Sequence, residues 1–329
     1  MQRTQGTMAR ILTGVQSTGT PHLGNILGAI QPAIQMAHQA ENDSFLFIAD
    51  MHSLTQIKEG DVLRENTYST AAAWLAFGLD TSRVVFYRQS DVPETAELAW
   101  YLSCFFPYQR LILAHSFKDK ADRLEDVNAG LFSYPMLMAA DILLYDAEFV
   151  PVGKDQLQHI EMTRDVASRY NHQMGDTFVL PEAKIDENAM YVTGTDGQKM
   201  SKSRNNYIDI FLPEKDLRKQ VMSIQTDSKQ LEDPKDPDSC NIFSIYKLLA
   251  TNEEISTMRS NYAAGNYGYG HAKQALLDLI MYAFREQREK YYHLMQNRSE
   301  IDAALSSGAL KAKSVAQKVL TRIRTKSGY

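Results

Sequence analysis

The 329-residue sequence predicts an α/β fold, a doubly wound parallel sheet, followed by a helical C-terminal domain. Three observations predict it. Short apolar runs of strand length alternate with helix-length periodic segments to about residue 210, and such alternation builds parallel sheets through crossover connections. The carboxyl ends of several runs carry glycine and polar side chains, where open α/β sheets bind ligands. Beyond residue 210 few strand signals remain and helical periodicity takes over. The chain therefore divides into an N-terminal extension (1–9), a sheet domain (10–210) and a helical domain ending in a basic helix (211–329).

The elements follow in order. Arg10 to Val15 reads as a buried strand, and residues 16–23 turn at Gly19 and Pro21. A helix is expected from Gly24 to Ala40, with Ile26, Leu27, Ile30, Ala33, Ile34 and Ala37 at helical spacing. Strand, glycine turn and helix together bring backbone N–H groups and a positive dipole end to one place, a site for phosphate. His22 and Asn25 can add donors there; as isolated residues they are equally a surface histidine and a capping asparagine. Phe45 to Ala49 is the second strand, ending in Asp50 and His52, and His52 alone could be a satisfied structural histidine. A helix over 62–78 leads to a third strand, Val84 to Tyr87. Ser90 to Glu94 starts a helix that runs to Phe105, with Pro93 in its first turn.

Tyr134 to Tyr145 predicts a helix beginning at Pro135, in which Asp141 is the only charge. Burying a carboxylate is unfavourable unless it accepts hydrogen bonds. Asp141 therefore faces a wet groove or an ion pair, or it points into an apolar pocket that supplies a donor. Phe149 to Val152 is the fourth strand. Gly153 after it lets a ligand approach the backbone, and Asp155 can accept from ribose hydroxyls. In the following helix His159 and Glu161 lack the i, i+4 spacing of a metal pair and read as structural. Met190 to Val192 is expected as a fifth strand leading into Lys199-Met200-Ser201-Lys202-Ser203. Two ammonium groups with flanking hydroxyls can close over a polyanion, although a bare Lys-x-x-Lys is more often a solvated loop. Helices are expected at 213–223, 242–250, 252–262 and 271–296. Residues 309–329 hold six basic residues and no acid, which fits an RNA patch or a solvated helix face.

Composition narrows the classes. At 44% hydrophobic and 23% charged residues the chain should bury a proper core. A net charge of −5 leaves nucleic-acid binding to local basic patches. The two cysteines, Cys104 and Cys240, have no metal-ligand spacing, so no zinc site, cluster or disulfide framework is expected, and a reducing cytoplasm fits. Met1 to Ala9 lacks the apolar core of a signal peptide, and no apolar run has membrane-spanning length.

Two stretches, Gly19-Thr20-Pro21-His22-Leu23-Gly24-Asn25 and Lys199 to Ser203, together resemble the HIGH and KMSKS signatures of class I aminoacyl-tRNA synthetases. Others narrow the likeness to the bacterial tryptophanyl-tRNA synthetases. They are Gly14-Val15-Gln16, Ile48 to His52, Ala129 to Leu131, Tyr134 to Tyr145, Val150 to Gly153 with Asp155-Gln156, and Thr226 to Ser228. The resemblance implies a Rossmann-like catalytic domain with a dimer-forming insertion, a helical anticodon-binding domain, and a cytoplasmic homodimer. It implies activation of L-tryptophan by ATP with Mg²⁺, then transfer to tRNA(Trp).

The same resemblance implies roles for residues. Gln16, Ser17, Thr18, His22, Gly24, Asn25, Gly153, Lys154, Asp155 and Met190 match the ATP site, completed by Lys199, Met200, Ser201, Lys202 and Ser203. Lys199 and Lys202 would hold the departing pyrophosphate, with Lys120 a weaker candidate. Asp141 would recognise the indole N–H. Tyr134, Met138, Val150 and Val152 would form apolar walls, and His52 and Gln156 would meet the substrate's polar end. No protein metal ligand is implied. There are departures: Ser17-Thr18 replaces a usual Pro-Ser, Gln198 a usual lysine, Gly194 to Gly197 is atypical, and Leu12 stands where an aromatic is common. The rival readings are a tyrosyl-tRNA synthetase, a catalytically silent paralogue that binds tryptophan or RNA, and a cofactor nucleotidyltransferase.

Overall fold

The computed structural model describes residues 8–114, 127–185 and 190–329. Five parallel strands form one sheet in the order β3-β2-β1-β4-β5. They are β1 (Ala9–Val15), β2 (Asn42–Ile48), β3 (Val85–Arg88), β4 (Phe149–Val152) and β5 (Glu182–Ile185). β1 and β2 pair along their full length, from Ala9 with Asn42 to Val15 with Ile48. β4 joins the other side of β1 through Ile11 and Phe149. The chain thus runs outward from β1 to β3 and then returns across the sheet to β4.

Alternation along the strands feeds a core on each face. Leu46 and Ile48 of β2 with Phe86 of β3 join one cluster; Phe45 and Phe47 with Tyr87 join the other. The first cluster continues without a break into the C-terminal helices through Ile242, Phe243, Leu276 and Ile280. Arg288, itself buried, strengthens that junction by donating to the backbone carbonyls of Ile210 and Leu212.

The final helix, Arg298–Ser327, is 30 residues long and crosses the edge of the sheet at β3. Ile301 and Leu305 belong to the first cluster; Ala309, Ala312, Ala316, Val319 and Ile323 belong to the second. Gly308 sits at the crossing. A Cβ there would lie 1.8 Å from the Phe86 carbonyl oxygen and 2.5 Å from its carbon. Only glycine lets the helix backbone come this close, and the contact covers an edge strand that would otherwise be open. Gly308→Ala must push the helix off β3 and should destabilise the protein by about 3 kcal/mol, in the range of overpacked cores. Chemical denaturation measures this; an unchanged midpoint would remove the helix from its edge-covering role.

Several expectations meet a different structure. The fifth strand is Glu182–Ile185 rather than Met190 to Val192. Its sequence, Glu-Ala-Lys-Ile, is polar because it is an outer strand with mostly exposed residues, so no apolar run marks it. Tyr191 and Val192 instead lead into a tight loop, closed by an isolated antiparallel bridge between Thr193 and Lys199. The helix assigned to start at Pro135 begins at Ala129. Asn128 caps it by accepting from the Leu131 N–H at 3.0 Å, and Pro135 lies inside, where it removes one intrahelical hydrogen bond. The basic C-terminal segment, expected as an RNA patch or a solvated helix face, also packs against the sheet domain. Arg322 pairs with Asp146 and Arg324 with Glu97, so both cations are engaged with the sheet domain, while Lys311 and Lys318 stay exposed.

The helix expected over 24–40 is segmented. Leu23–Asn25 and Gln31–Ala37 are α-helical, with one wide turn at Ile26–Ile30 between them. Pro32, which has no N–H to offer an i−4 carbonyl, lies two residues beyond that wide turn. The stretch expected as one helix over 271–296 is two, Tyr269–Ala283 and Arg285–Gln296. Among the described residues no helix is long and apolar enough to cross a membrane.

Candidate active site

β1 and β4 are neighbours in the sheet, yet their crossovers leave in opposite directions. The carboxyl ends of such a pair splay apart, and the crevice between them is where this class of sheet binds ligands. A cavity of about 460 Å³ opens there. β1 and its extension supply Leu12, Gly14 and Gln16, and β4 supplies Val150, Val152 and then Gly153. His52 reaches in from the end of β2. Tyr134, Met138 and Asp141 come from one face of the Ala129–Leu143 helix, at spacings of four and three.

Asp141 is 3% exposed. Its Oδ2 accepts from His52 Nε2 at 2.8 Å, and Gln89 Nε2 lies 2.8 Å from Oδ1 and 3.0 Å from Oδ2. Burial pushes its pKa up, and the His52 and Gln89 hydrogen bonds oppose that shift. A carboxylate has about four acceptor positions. Two donors leave capacity for one more, and the carboxylate borders the cavity. His52, expected at the substrate's polar end, lines the cavity and is bonded to Asp141.

A second set of hydrogen bonds borders the same cavity. The Tyr134 hydroxyl is 2.5 Å from His159 Nε2, His159 Nδ1 is 2.9 Å from Gln156 Oε1, and Gln156 Nε2 donates to Asp155 Oδ2 at 2.9 Å. Both Tyr134 and Gln156 face the cavity.

A further cavity, of about 340 Å³, lies beside the first helix. His22, Gly24 and Asn25 line one side; Met190, Lys199, Met200 and Ser201 line the other. His22 and Asn25 cap the helix reciprocally: His22 Nδ1 accepts from the Asn25 N–H and Asn25 Oδ1 accepts from the His22 N–H, both at 3.2 Å. Nδ1 is thus unprotonated and the ring proton sits on Nε2. Burial, with help from Lys202, lowers the His22 pKa to about 4, so at neutral pH the ring is an uncharged N–H donor. The Asn25 amide likewise keeps its N–H groups for another partner. Gly24 donates its N–H to Met200 Sδ at 3.3 Å, and a Cβ on Gly24 would crowd Met200 Cβ at 3.3 Å. The two short motifs therefore touch through a position that favours glycine.

The lysine loop is held by Asn206, which is 2% exposed. Its amide donates to the Lys199 carbonyl and to Asp196, and its oxygen accepts from the Ser201 N–H at 2.7 Å. Lys202 Nζ donates to the Thr18 carbonyl at 3.2 Å, which draws the loop over the turn after β1. Burial lowers the Lys202 pKa, while nearby Asp209 works the other way. Among the ATP-site candidates, Ser17 is fully buried and bonded to Ser53. Thr18, Lys154, Asp155 and Ser203 are exposed and line neither cavity. Lys120 lies outside the described residues.

The model of the family described as tRNA synthetases class I (W and Y) matches residues 4–285. The chain belongs to this family. Among class I synthetases it is similar to the tryptophan–tRNA ligase of Campylobacter jejuni, 47% identical over 97% of this chain and 99% of the relative. The tryptophan–tRNA ligase of Rhodopirellula baltica is 46% identical over the same shares. In three dimensions it is similar to the Campylobacter jejuni tryptophanyl-tRNA synthetase crystallised with ADP and tryptophan. The TM-score is 0.94 at 46% identity, covering 97% of this chain and all of that one.

Two buried side chains that bond to cavity-lining residues of this class I synthetase escape a reading by motif. Gln89 is 1% exposed and follows β3 directly. The strand-end rule that singles out His52 and Gly153 applies equally to it. His159, which lacks the spacing of a metal pair, bonds through its two ring nitrogens to Tyr134 and Gln156.

Proposed function

We propose that this class I synthetase is a tryptophan–tRNA ligase. It activates L-tryptophan with ATP to tryptophanyl-adenylate and pyrophosphate, then esterifies the 3′ end of tRNA(Trp). One observation carries the reading: a buried carboxylate, Asp141, with an acceptor position left over, bordering a largely apolar cavity at the sheet's switch point. An indole offers one N–H on an otherwise apolar body, and that is the shape and polarity such a cavity complements. Tyr134, Met138, Val150 and Val152 form the walls, His52 orients Asp141, and Gln156 meets the polar end.

The tryptophan carboxylate attacks the α-phosphate, and the bond to pyrophosphate breaks. No protein nucleophile is needed, so the residues act by positioning and by balancing charge. The loop residues Lys199, Met200, Ser201, Lys202 and Ser203, with Gln16, Ser17, Thr18, His22, Gly24, Asn25 and Met190, surround the nucleotide. Gly153, Lys154 and Asp155 take the ribose side. His22 Nε2–H and the Asn25 amide act as neutral donors to the phosphates, and Lys199 and Lys202 neutralise the leaving pyrophosphate. Lys120 is the further candidate for that charge. Mg²⁺ is taken to arrive with the nucleotide, held mainly by phosphates and water.

Residues 10–210 are proposed as the catalytic domain and 211–329 as the anticodon-binding part, in a cytoplasmic enzyme. A homodimer is supported by an apolar groove between the Glu94–Phe105 and Ala129–Leu143 helices, where Trp100 is 69% and Leu54 48% exposed. An apolar patch of this kind marks an interface. The test is amino-acid-dependent ATP–pyrophosphate exchange with each of the twenty amino acids. Exchange with tryptophan alone is expected. Exchange with tyrosine, or with none, overturns the assignment.

A further inference from the structure

Gly14, Phe47 and Tyr87 form one row across the sheet: Gly14 is registered with Phe47 and Phe47 with Tyr87. β2 is one strand removed from the crevice between β1 and β4, yet Phe47 lines the cavity there. Gly14 makes that reach possible. A Cβ at position 14 would lie 2.5 Å from Phe47 Cζ and 2.8 Å from its Cε1, so the tip of the ring fills the volume where any other residue would keep its side chain. Tyr87, 1% exposed, stacks against the same ring with centroids 5.8 Å apart and planes 27° apart. The ring is thus backed on the β3 side and cannot retreat into a close-packed interior. Leu12, Gly14 and Gln16, alternate residues of β1 and its extension, line the cavity in that order. The cavity is therefore apolar within the sheet and polar beyond its end. An amino acid whose charged end lies beyond the strands has its ring over Gly14 and against Phe47.

We propose that Phe47, reaching over Gly14, is a specificity-determining residue: it sets the far limit of the cavity, which admits an unsubstituted indole and turns away one that carries a further group on its benzo ring. The inference rests on the tryptophan-binding reading and adds size to it. Asp141 reads the polar atom of the indole; Phe47 reads its outline. With Tyr87 behind it and Gly14 beneath it, the ring has one way to move, into the cavity. A side chain added at position 14 therefore closes the space the ligand needs.

The test measures binding by titration calorimetry on the full chain, with L-tryptophan and the four L-tryptophans that carry one methyl group on the benzo ring. The unaltered protein should bind at least one methylated isomer about tenfold more weakly than L-tryptophan, or weaker still, within the range by which a hydrophobic pocket judges one carbon. Phe47→Leu, which shortens the reach, should recover that isomer by about tenfold relative to L-tryptophan. It should leave the ratio of at least one other isomer within about twofold. Gly14→Ala should weaken L-tryptophan itself by about tenfold or more. In the Phe47→Leu background the same change should cost less than about twofold, because the shorter side chain no longer meets position 14. Phe47 is also a core side chain, and a merely structural role would move all five ligands together. If Phe47→Leu does not fold, Phe47→Met carries the comparison. Three outcomes overturn the proposal: equal binding of all isomers by the unaltered protein, an equal change of every ligand in the Phe47 variant, or the same effect of Gly14→Ala in both backgrounds. Failure of the unaltered protein to bind L-tryptophan would overturn the substrate reading itself and this inference with it.

Discussion

Asp141→Ala should lower kcat/KM for tryptophan activation by about 10³–10⁵, the scale on which sites built around a buried hydrogen bond reject ligands that cannot complete it. The carboxylate is held from two sides, by His52 at 2.8 Å and Gln89 at 2.8 Å, so it cannot swing away to relieve an unmatched ligand. Its removal also leaves those two donors buried without a partner, which should cost about 1–3 kcal/mol of stability. Asp141→Asn separates the two effects. It keeps the shape and one oxygen, so the fold should survive while tryptophan activation still falls. Pyrophosphate exchange and thermal unfolding on both variants provide the check. Ordinary tryptophan activation by either variant would mean that Asp141 does not read the indole.

Lys202→Ala should reduce the rate of adenylate formation about 10²–10³-fold, as expected when one charge that stabilises a transition state is removed. The affinity for tryptophan should not change, because Lys202 lines no part of the cavity that holds it. The electrostatics give a second, separable expectation. Burial lowers the Lys202 pKa, so the folded environment disfavours the ammonium form. A neutral side chain at this position should leave the melting temperature unchanged or raise it. A cation kept where the fold disfavours it is consistent with a role in chemistry rather than in stability. Rapid-quench measurement of adenylate formation, beside a melting curve, tests both. A slow variant with a lowered melting temperature would point instead to a collapsed loop.

The parts of this molecule that a sequence reader can see are those with a strong local cause. β1 to β4 are visible because each is a short buried run that ends in polar residues or glycine. β5 is invisible because an outer strand with exposed side chains has no apolar pattern to show. The wide turn at Ile26–Ile30 and the early start at Ala129 were also missed, since each depends on how the backbone accommodates a proline in three dimensions. In the site, Asp141 stands out as a lone charge in an apolar helix. Gln89 and His159 do not, because their importance comes from partners 52 and 25 positions away in the chain. The six basic residues near the C-terminus show how little charge alone decides: Arg322 and Arg324 are paired with carboxylates of the sheet domain, Lys311 and Lys318 stay exposed, and the helix is buried along one side.

The crossing at Gly308 has a consequence for how the protein is made. β3 ends at Arg88, and the helix that closes its edge is complete only when Ile323 has emerged. Ribosomes add roughly 5–20 residues per second, so the nascent sheet waits on the order of 10–50 s with that edge unpaired. During that time its free N–H and C=O groups can template pairing with a neighbouring chain on the same messenger. A stop codon placed before residue 308 should yield aggregated polypeptide rather than a soluble fragment, even though every cavity-lining residue has by then been synthesised.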